Sequence, residues 1–371
     1  MHPTSQPKTS RQFWLDAARA IAVISITVNH AVNRSWNIHG GSIAELHQIP
    51  WLSSALKIAL TIFGHLGVPL FLMISGTLLL KKSLESWSDV KTFYKNNLIP
   101  LLITSEVWYV IMYWFILLVK PDNTMLETNG FLGSLPGMFR TMLLYRPTTM
   151  RSMWYIPMIL SMYAVIPLFA VSLKHSDSAK FLILPCGIIF LTNMLLPDIR
   201  DISGLLANTA CKRSIPYETY LLYILAGYAI SRGAFQRFSS KTVYFGTISL
   251  FLLLCVRQFF AFALDSSYAI GYSASLLLFW GCFAFEAIRR NETRFLRIRQ
   301  PVSELAKISF GIYFVHIILM EAMNWTMQFN GFPRPIKFLV LEIVSFGGSV
   351  ILIHFLSKNK HLKRYLFMMK S

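Results

Sequence analysis

The sequence predicts an all-α, polytopic integral membrane protein, and three observations predict it. Hydrophobic residues make up 54% of the 371 residues and charged ones 14%, with a mean hydropathy of +0.51, too apolar for a soluble chain of this length. The apolar residues fall in runs of about 20, the length of a bilayer-spanning helix. The Lys and Arg residues sit in short loops between those runs, which specifies membrane topology and does not build a nucleic-acid-binding face. The net charge of +18 therefore speaks for a lipid bilayer as partner and against nucleic acid.

About ten spans emerge. The first, near 15–36, follows the polar stretch Met1 to Gln12 and carries intramembrane charges with no small-residue cleavage pattern, which marks a retained helix and not a cleaved signal. The second, near 54–80, contains Gly67 and Pro69, which loosen a helix backbone. The third, near 98–119, holds Glu106 in an otherwise apolar run. A segment near 136–145 suits a helix lying in the interface. The fourth span, near 153–173, opens on the aromatic pair Trp154-Tyr155. Two short spans follow, near 181–196 and 216–231, then two near 243–264 and 267–287 joined by a very tight turn. The ninth, near 305–327, carries Tyr313 and His316, and the tenth, near 336–356, precedes a basic tail, 357–371. No second soluble domain is indicated, so residues 1–371 form a single transmembrane domain.

Placing both termini in the cytoplasm puts roughly two thirds of the Lys and Arg on that side, as the positive-inside rule requires. The stretches near 37–53, 120–152 and 197–215 are then the sizeable outer loops. The cysteines Cys186, Cys211, Cys255 and Cys282 show no short-spaced pair, so neither a disulfide framework nor a metal site is expected.

Chemistry concentrates in the first span. At about 100° per residue the step from Arg19 to His30 returns to nearly the same azimuth, with Asp16 close by, so one face of one helix is polar. Arg19 and His30 stand about 16 Å apart along that helix at 1.5 Å per residue, one near a membrane surface and one deep inside. Ionisable groups inside a span mark a functional site or an internal ion pair. Asp16 and Arg19, at i and i+3, neutralise each other in the simpler reading. His30 is left over, and a neutral imidazole is an economical general base near pH 7.

Other candidates each have a structural competitor. Ser75-Gly76 in the second span allows close approach of a ligand or of another helix. Lys81, Lys82, Lys91 and Lys95 beyond it suit phosphates, either of a ligand or of lipid headgroups. Trp154 and Tyr155 read as an interfacial belt or as a sugar-stacking platform. Tyr313 and His316, one turn apart, form a second internal polar spot. Glu106 and Arg257 each need an internal partner or water. No zinc-protease, nucleophile-elbow or nucleotide fingerprint is present.

Taken in order, Asp16-x-x-Arg19 with His30 downstream, Pro69-Leu-Phe-Leu-Met-Ile-Ser75-Gly76, Trp154-Tyr155 with Tyr163 and Pro167, and Ser309-Phe-Gly-Ile-Tyr313-Phe-Val-His316 resemble the acyltransferase family 3 membrane proteins, which acylate cell-surface glycans. The resemblance runs from about residue 11 to 356 and is nearest to the stand-alone bacterial O-acetyltransferases, such as that of enterobacterial common antigen. It implies acetyl-CoA or another acyl-CoA as co-substrate with no permanently bound cofactor, a surface glycan or lipid-linked sugar as acceptor, the bacterial inner membrane as location, and required roles for Arg19 and His30. Many members carry Arg-x-x-Arg in the first cytoplasmic loop, where this chain reads Lys91-Thr-Phe-Tyr-Lys95; a bidentate guanidinium grip on phosphate is not available to Lys. On this reading Asp16, Arg19 and His30 are catalytic, and Ser75, Gly76, Lys81, Lys82, Lys91 and Lys95 hold the donor. Glu106, Trp154, Tyr155, Tyr313 and His316 serve the acceptor or support the site. The competing reading is an exporter of polysaccharide or lipid-linked sugar, which the absence of a repeated half disfavours.

Overall fold

The computed structural model describes residues 12–36, 50–120, 125–142, 151–174, 182–206, 218–263, 270–327, 329 and 331–369. Among them there is no strand, and each expected span is helical. Helices α1 (Phe13–Ser35), α2 (Trp51–Gly64) and α3 (Gly67–Leu79) are followed by α4 (Trp87–Phe93), which runs through a wide turn into α5 (Ile99–Val119). Next come α6 (Met125–Met142), α7 (Tyr155–Lys174), α8 (Ile183–Phe190), α9 (Leu196–Leu206), α10 (Glu218–Ser231) and α11 (Ser240–Ala263). The chain continues with α12 (Ser275–Arg290), α13 (Arg299–Thr326), α14 (Arg334–Leu356) and the short α15 (Lys360–Phe367). Joined pieces counted together, 8 helices among the described residues are long and apolar enough to cross a membrane; α10, with 14 residues, and α12, with 16, fall short of that length. Cys211 and much of the expected outer loops lie outside the described residues.

Helix α1 is the hub, packing against α2, α3, α12, α13 and α14. In its most apolar stretch 78% of residues are buried inside the protein, against 22% for α11 and 28% for α14, so the latter two form the lipid-facing rim. The start of α1 is held from elsewhere in the chain. The Trp14 backbone N–H donates to Glu292 Oε1 at 3.1 Å, which satisfies one of the amides a helix N-terminus leaves open. The Trp14 ring stands edge-on to Phe285 at 5.0 Å.

The second span is broken where Gly67 and Pro69 predict. Pro69 has no N–H to give to the preceding turn, and α2 stops at Gly64 before α3 begins at Gly67. The Ser25 hydroxyl of α1 ties that helix to the end of α2, donating at 2.7 Å to Phe63 O, which also accepts from the Leu66 N–H at 3.0 Å, and lying 3.1 Å from Gly64 O. Further along α3, Gly76 faces the backbone of Ile224, and Gly227 on α10 faces the backbone of Met73. The Thr77 hydroxyl donates to Gly227 O at 2.9 Å across this contact. The two helices touch backbone to backbone, a small-residue interface of the kind membranes favour.

Two expectations change. The tight turn expected after α11 lies largely outside the described residues, and helix α12 begins at Ser275, not near 267. The reason is long-range: the Asp198 carboxylate on α9 accepts from the Ser275 backbone N–H at 2.6 Å and hydroxyl at 2.5 Å, capping α12 from another helix. The same carboxylate pairs with Arg257 at 2.9 Å, which gives that buried cation its partner. The segment expected at 136–145 is part of the longer α6, broken at Gly130 with φ 64°, and it leans on α5 through a 2.7 Å bond from the Tyr113 hydroxyl to Ser134 O. Beyond α14 the tail folds as α15, capped by Asn359, and plants Phe367, 1% exposed, in the bundle.

Candidate active site

A cavity of about 200 Å³ lies among α1, α3, α5, α7 and α13. Its wall is mostly apolar, with Phe71, Ile74, Leu101, Ile159 and Phe310 among the lining residues; the polar ones are Arg19, Ser75, Tyr155, Tyr163, Ser309 and Tyr313. Arg19 stays partly exposed, with 32% of its side chain accessible, although Asp16, nearly fully buried, lies 3.4 Å away. An aspartate at i−3 is therefore a tether for the guanidinium and does not seal it off from a ligand.

Most hydroxyls in this wall are committed to backbone carbonyls. Ser75 donates to Phe71 O at 3.0 Å, Ser309 to Ala306 O at 2.9 Å and Tyr313 to Ser152 O at 2.8 Å. The Tyr163 hydroxyl is less engaged, 3.4 Å from Ser75 Oγ. Ser75, Ser309 and Tyr313 thus shape the wall, and Arg19, Tyr155 and Tyr163 are left as the polar groups best able to meet a ligand.

A pair of histidines, His30 and His316, does not line the cavity and is reached from its wall through Tyr313, which lies 6.5 Å, ring to ring, from His316. His316, fully buried on α13, brings Nε2 to 2.8 Å from Nδ1 of His30 on α1, and its own Nδ1 is 2.5 Å from the Ile312 carbonyl oxygen. The two rings are near-parallel, 10° apart. Arg34, one turn beyond His30, donates to the His30 carbonyl at 3.0 Å and pairs with Glu321 of α13. Helices α1 and α13 are thus joined at the histidine pair and again one turn beyond it.

Next to Tyr155 and Tyr313, whose rings are 5.7 Å apart, lies a cluster of aromatics. The Trp154 ring is 6.1 Å from Tyr155, 5.6 Å from Tyr220 and 5.3 Å from Tyr272. His65, at the break of the second span, stacks 5.2 Å from Tyr272. Trp154 and Tyr155 are therefore part of an internal aromatic surface contributed by several helices.

The remaining candidates lie apart. Gly76 is spent on the contact with α10. None of Lys81, Lys82, Lys91 and Lys95 lines the cavity; Lys82 donates to Asn97 at 3.0 Å and sits over Phe93, and Lys91 lies over Trp87. Partial burial, and after it the charge of Arg232, hold the Lys81 ammonium below its ordinary pKa. Glu106 on α5 has one carboxylate oxygen buried with no hydrogen-bond partner among the described residues, and it is not in the cavity wall. Sequence reasoning missed Ser309 as a wall residue, and it missed Tyr220, Tyr272, Glu321 and Glu342, whose carboxylate accepts from Thr27 at 2.7 Å. For Glu321 and Glu342 a signal existed, an acid inside or at the end of an apolar span.

Residues 12–354 match the acyltransferase domain family. No curated protein and no solved structure matches the chain. With nearly the whole length covered, the chain belongs to acyltransferase family 3 and is a membrane acyltransferase.

Proposed function

We propose that this acyltransferase moves an acyl group, acetyl foremost, from cytoplasmic acyl-CoA to a hydroxyl of a cell-surface or lipid-linked glycan, in a bacterial inner membrane. The observation that carries the reading is the cavity that has Arg19 in one part of its wall and Tyr313, beside the His30–His316 pair, in another. A narrow, largely apolar slot with a partly exposed guanidinium fits a pantetheine arm and its thioester better than it fits a sugar. Lys81 and Arg232, two neighbouring cations on the chain's basic side, suit the CoA phosphates. The aromatic surface of Trp154, Tyr155 and Tyr272 suits a sugar ring.

In the reaction so framed, the acceptor oxygen bonds the acyl carbon while its proton passes to His30 acting as general base. The C–S bond then breaks, and the departing CoA thiolate takes that proton from His30. Arg19, about 16 Å from His30 along α1 and turned toward Asp16, holds the donor at its own end of the cavity, with the Tyr163 hydroxyl in the same wall. Asp16 keeps Arg19 in place.

The test is transfer from labelled acetyl-CoA to endogenous glycan in membranes holding matched amounts of wild type or His30→Ala. Label that depends on His30, with loss of at least about a hundredfold, supports the reading. Equal label in the two, or none from any acyl-CoA, overturns it.

A further inference from the structure

His316 is fully buried, and two contacts define its protonation. Its Nδ1 faces the Ile312 carbonyl oxygen at 2.5 Å, an atom that only accepts, so the ring proton sits on Nδ1. A neutral imidazole has one N–H, and Nε2 of His316 is therefore an acceptor. The atom it meets at 2.8 Å is Nδ1 of His30. A hydrogen bond there requires the His30 proton on Nδ1, which leaves the His30 Nε2 lone pair free. The direction of the whole chain is set at the Ile312 carbonyl, far in sequence from the first helix.

We propose that His316 is the positioning residue for His30: by accepting from Nδ1 it holds the tautomer in which Nε2 is the base, and it fixes the plane of the ring. This rests on the general-base role proposed for His30 above. It also names the atom, since the acceptor hydroxyl gives its proton to Nε2, and the thiolate collects it from there. A neutral partner differs from the carboxylate that orients the histidine of a serine-hydrolase triad: it selects the tautomer without placing a negative charge in the membrane. No acid is then needed beside His30, and Arg34, which would disfavour a second cation, is held instead by Glu321 and by the His30 carbonyl.

The test uses the purified full chain in nanodiscs. His316→Leu removes the acceptor and keeps the volume, whereas His316→Gln places an amide oxygen about where Nε2 stood. The expected result is that kcat for acetyl transfer falls about a hundredfold to ten-thousandfold in the Leu variant, the range seen when a catalytic histidine takes the wrong tautomer. KM for both substrates stays within about twofold, and Gln brings kcat back to within about tenfold of wild type. In parallel, nitrogen NMR of histidine-labelled protein, with His30→Asn used to identify the His30 signals, should show Nδ1 protonated in the wild type and a growing Nε2–H population in His316→Leu. Wild-type His30 protonated on Nε2 overturns the proposal whatever the activity. So does a Leu variant with unchanged kcat, or Leu and Gln variants equally inactive with His30 still protonated on Nδ1. If the wild type transfers no acyl group while the NMR pattern is as expected, the acyltransfer reading fails and the assignment of the proton stands.

Discussion

The Ser25 hydroxyl spans the point where Pro69 interrupts the second span, and it is fully buried. It donates to Phe63 O and lies 3.1 Å from Gly64 O, so it ties α1 to the end of α2 beside the break. Ser25→Ala deletes this tie between α1 and α2, at a cost of about 0.5–1.5 kcal/mol; a lowered thermal midpoint in detergent checks it, with Ser75→Ala, whose hydroxyl bonds within its own turn and to Tyr163, expected to shift less. Tyr163→Phe tests the cavity itself. It deletes a wall hydroxyl that lies 3.4 Å from Ser75 Oγ, and KM for acyl-CoA should rise about tenfold at unchanged stability and kcat, since a group that holds the donor contributes binding. At this scale Asp16, Arg19 and His30 were legible because charge in an apolar run stands out and helical periodicity shows which residues share a face. Their partners were not. His316 lies 286 residues from His30, and no local pattern links a histidine on one helix to a histidine on another.

Helices α3 and α10 show what small residues do between spans. A side chain on Gly76 would meet the backbone of Ile224, and one on Gly227 the backbone of Met73; neither neighbour is a flexible side-chain tip that can swing away. Gly76→Val and Gly227→Val should therefore each separate the helices and reduce the folded, detergent-extractable fraction severalfold, measured by size-exclusion chromatography of a fluorescent fusion. Gly187→Val, on α8 with open space where its Cβ would be, is the control expected to behave as wild type. The sequence offered both a ligand and a helix as the reason for Ser75-Gly76, and the structure divides the pair: the serine faces the cavity and the glycine the helix. Element boundaries were legible where apolar runs were long. The start of α12 was not, because Asp198, a residue of a different helix, supplies its cap.

At the scale of the whole molecule, the site works only if its two ends face two compartments. Arg19 stands near the start of α1 and Arg34 at its end, so a donor entering by Arg19 and an acceptor entering beyond His30 approach from opposite sides. The topology proposed from the distribution of Lys and Arg has the start of α1, the Lys81–Lys95 loop and the Arg289–Arg299 turn facing the cytoplasm, the compartment of the proposed acyl-CoA donor. Accessibility of single cysteines tests this, in a background with the 4 native cysteines replaced. Ser83→Cys, exposed in the loop after α3, should react with an impermeant thiol reagent only after the membrane is opened. Phe332→Cys, exposed between α13 and α14, should react in intact cells. The reverse pattern would turn the Arg19 end outward, away from cytoplasmic acyl-CoA, and the direction of transfer would have to be reversed along with it.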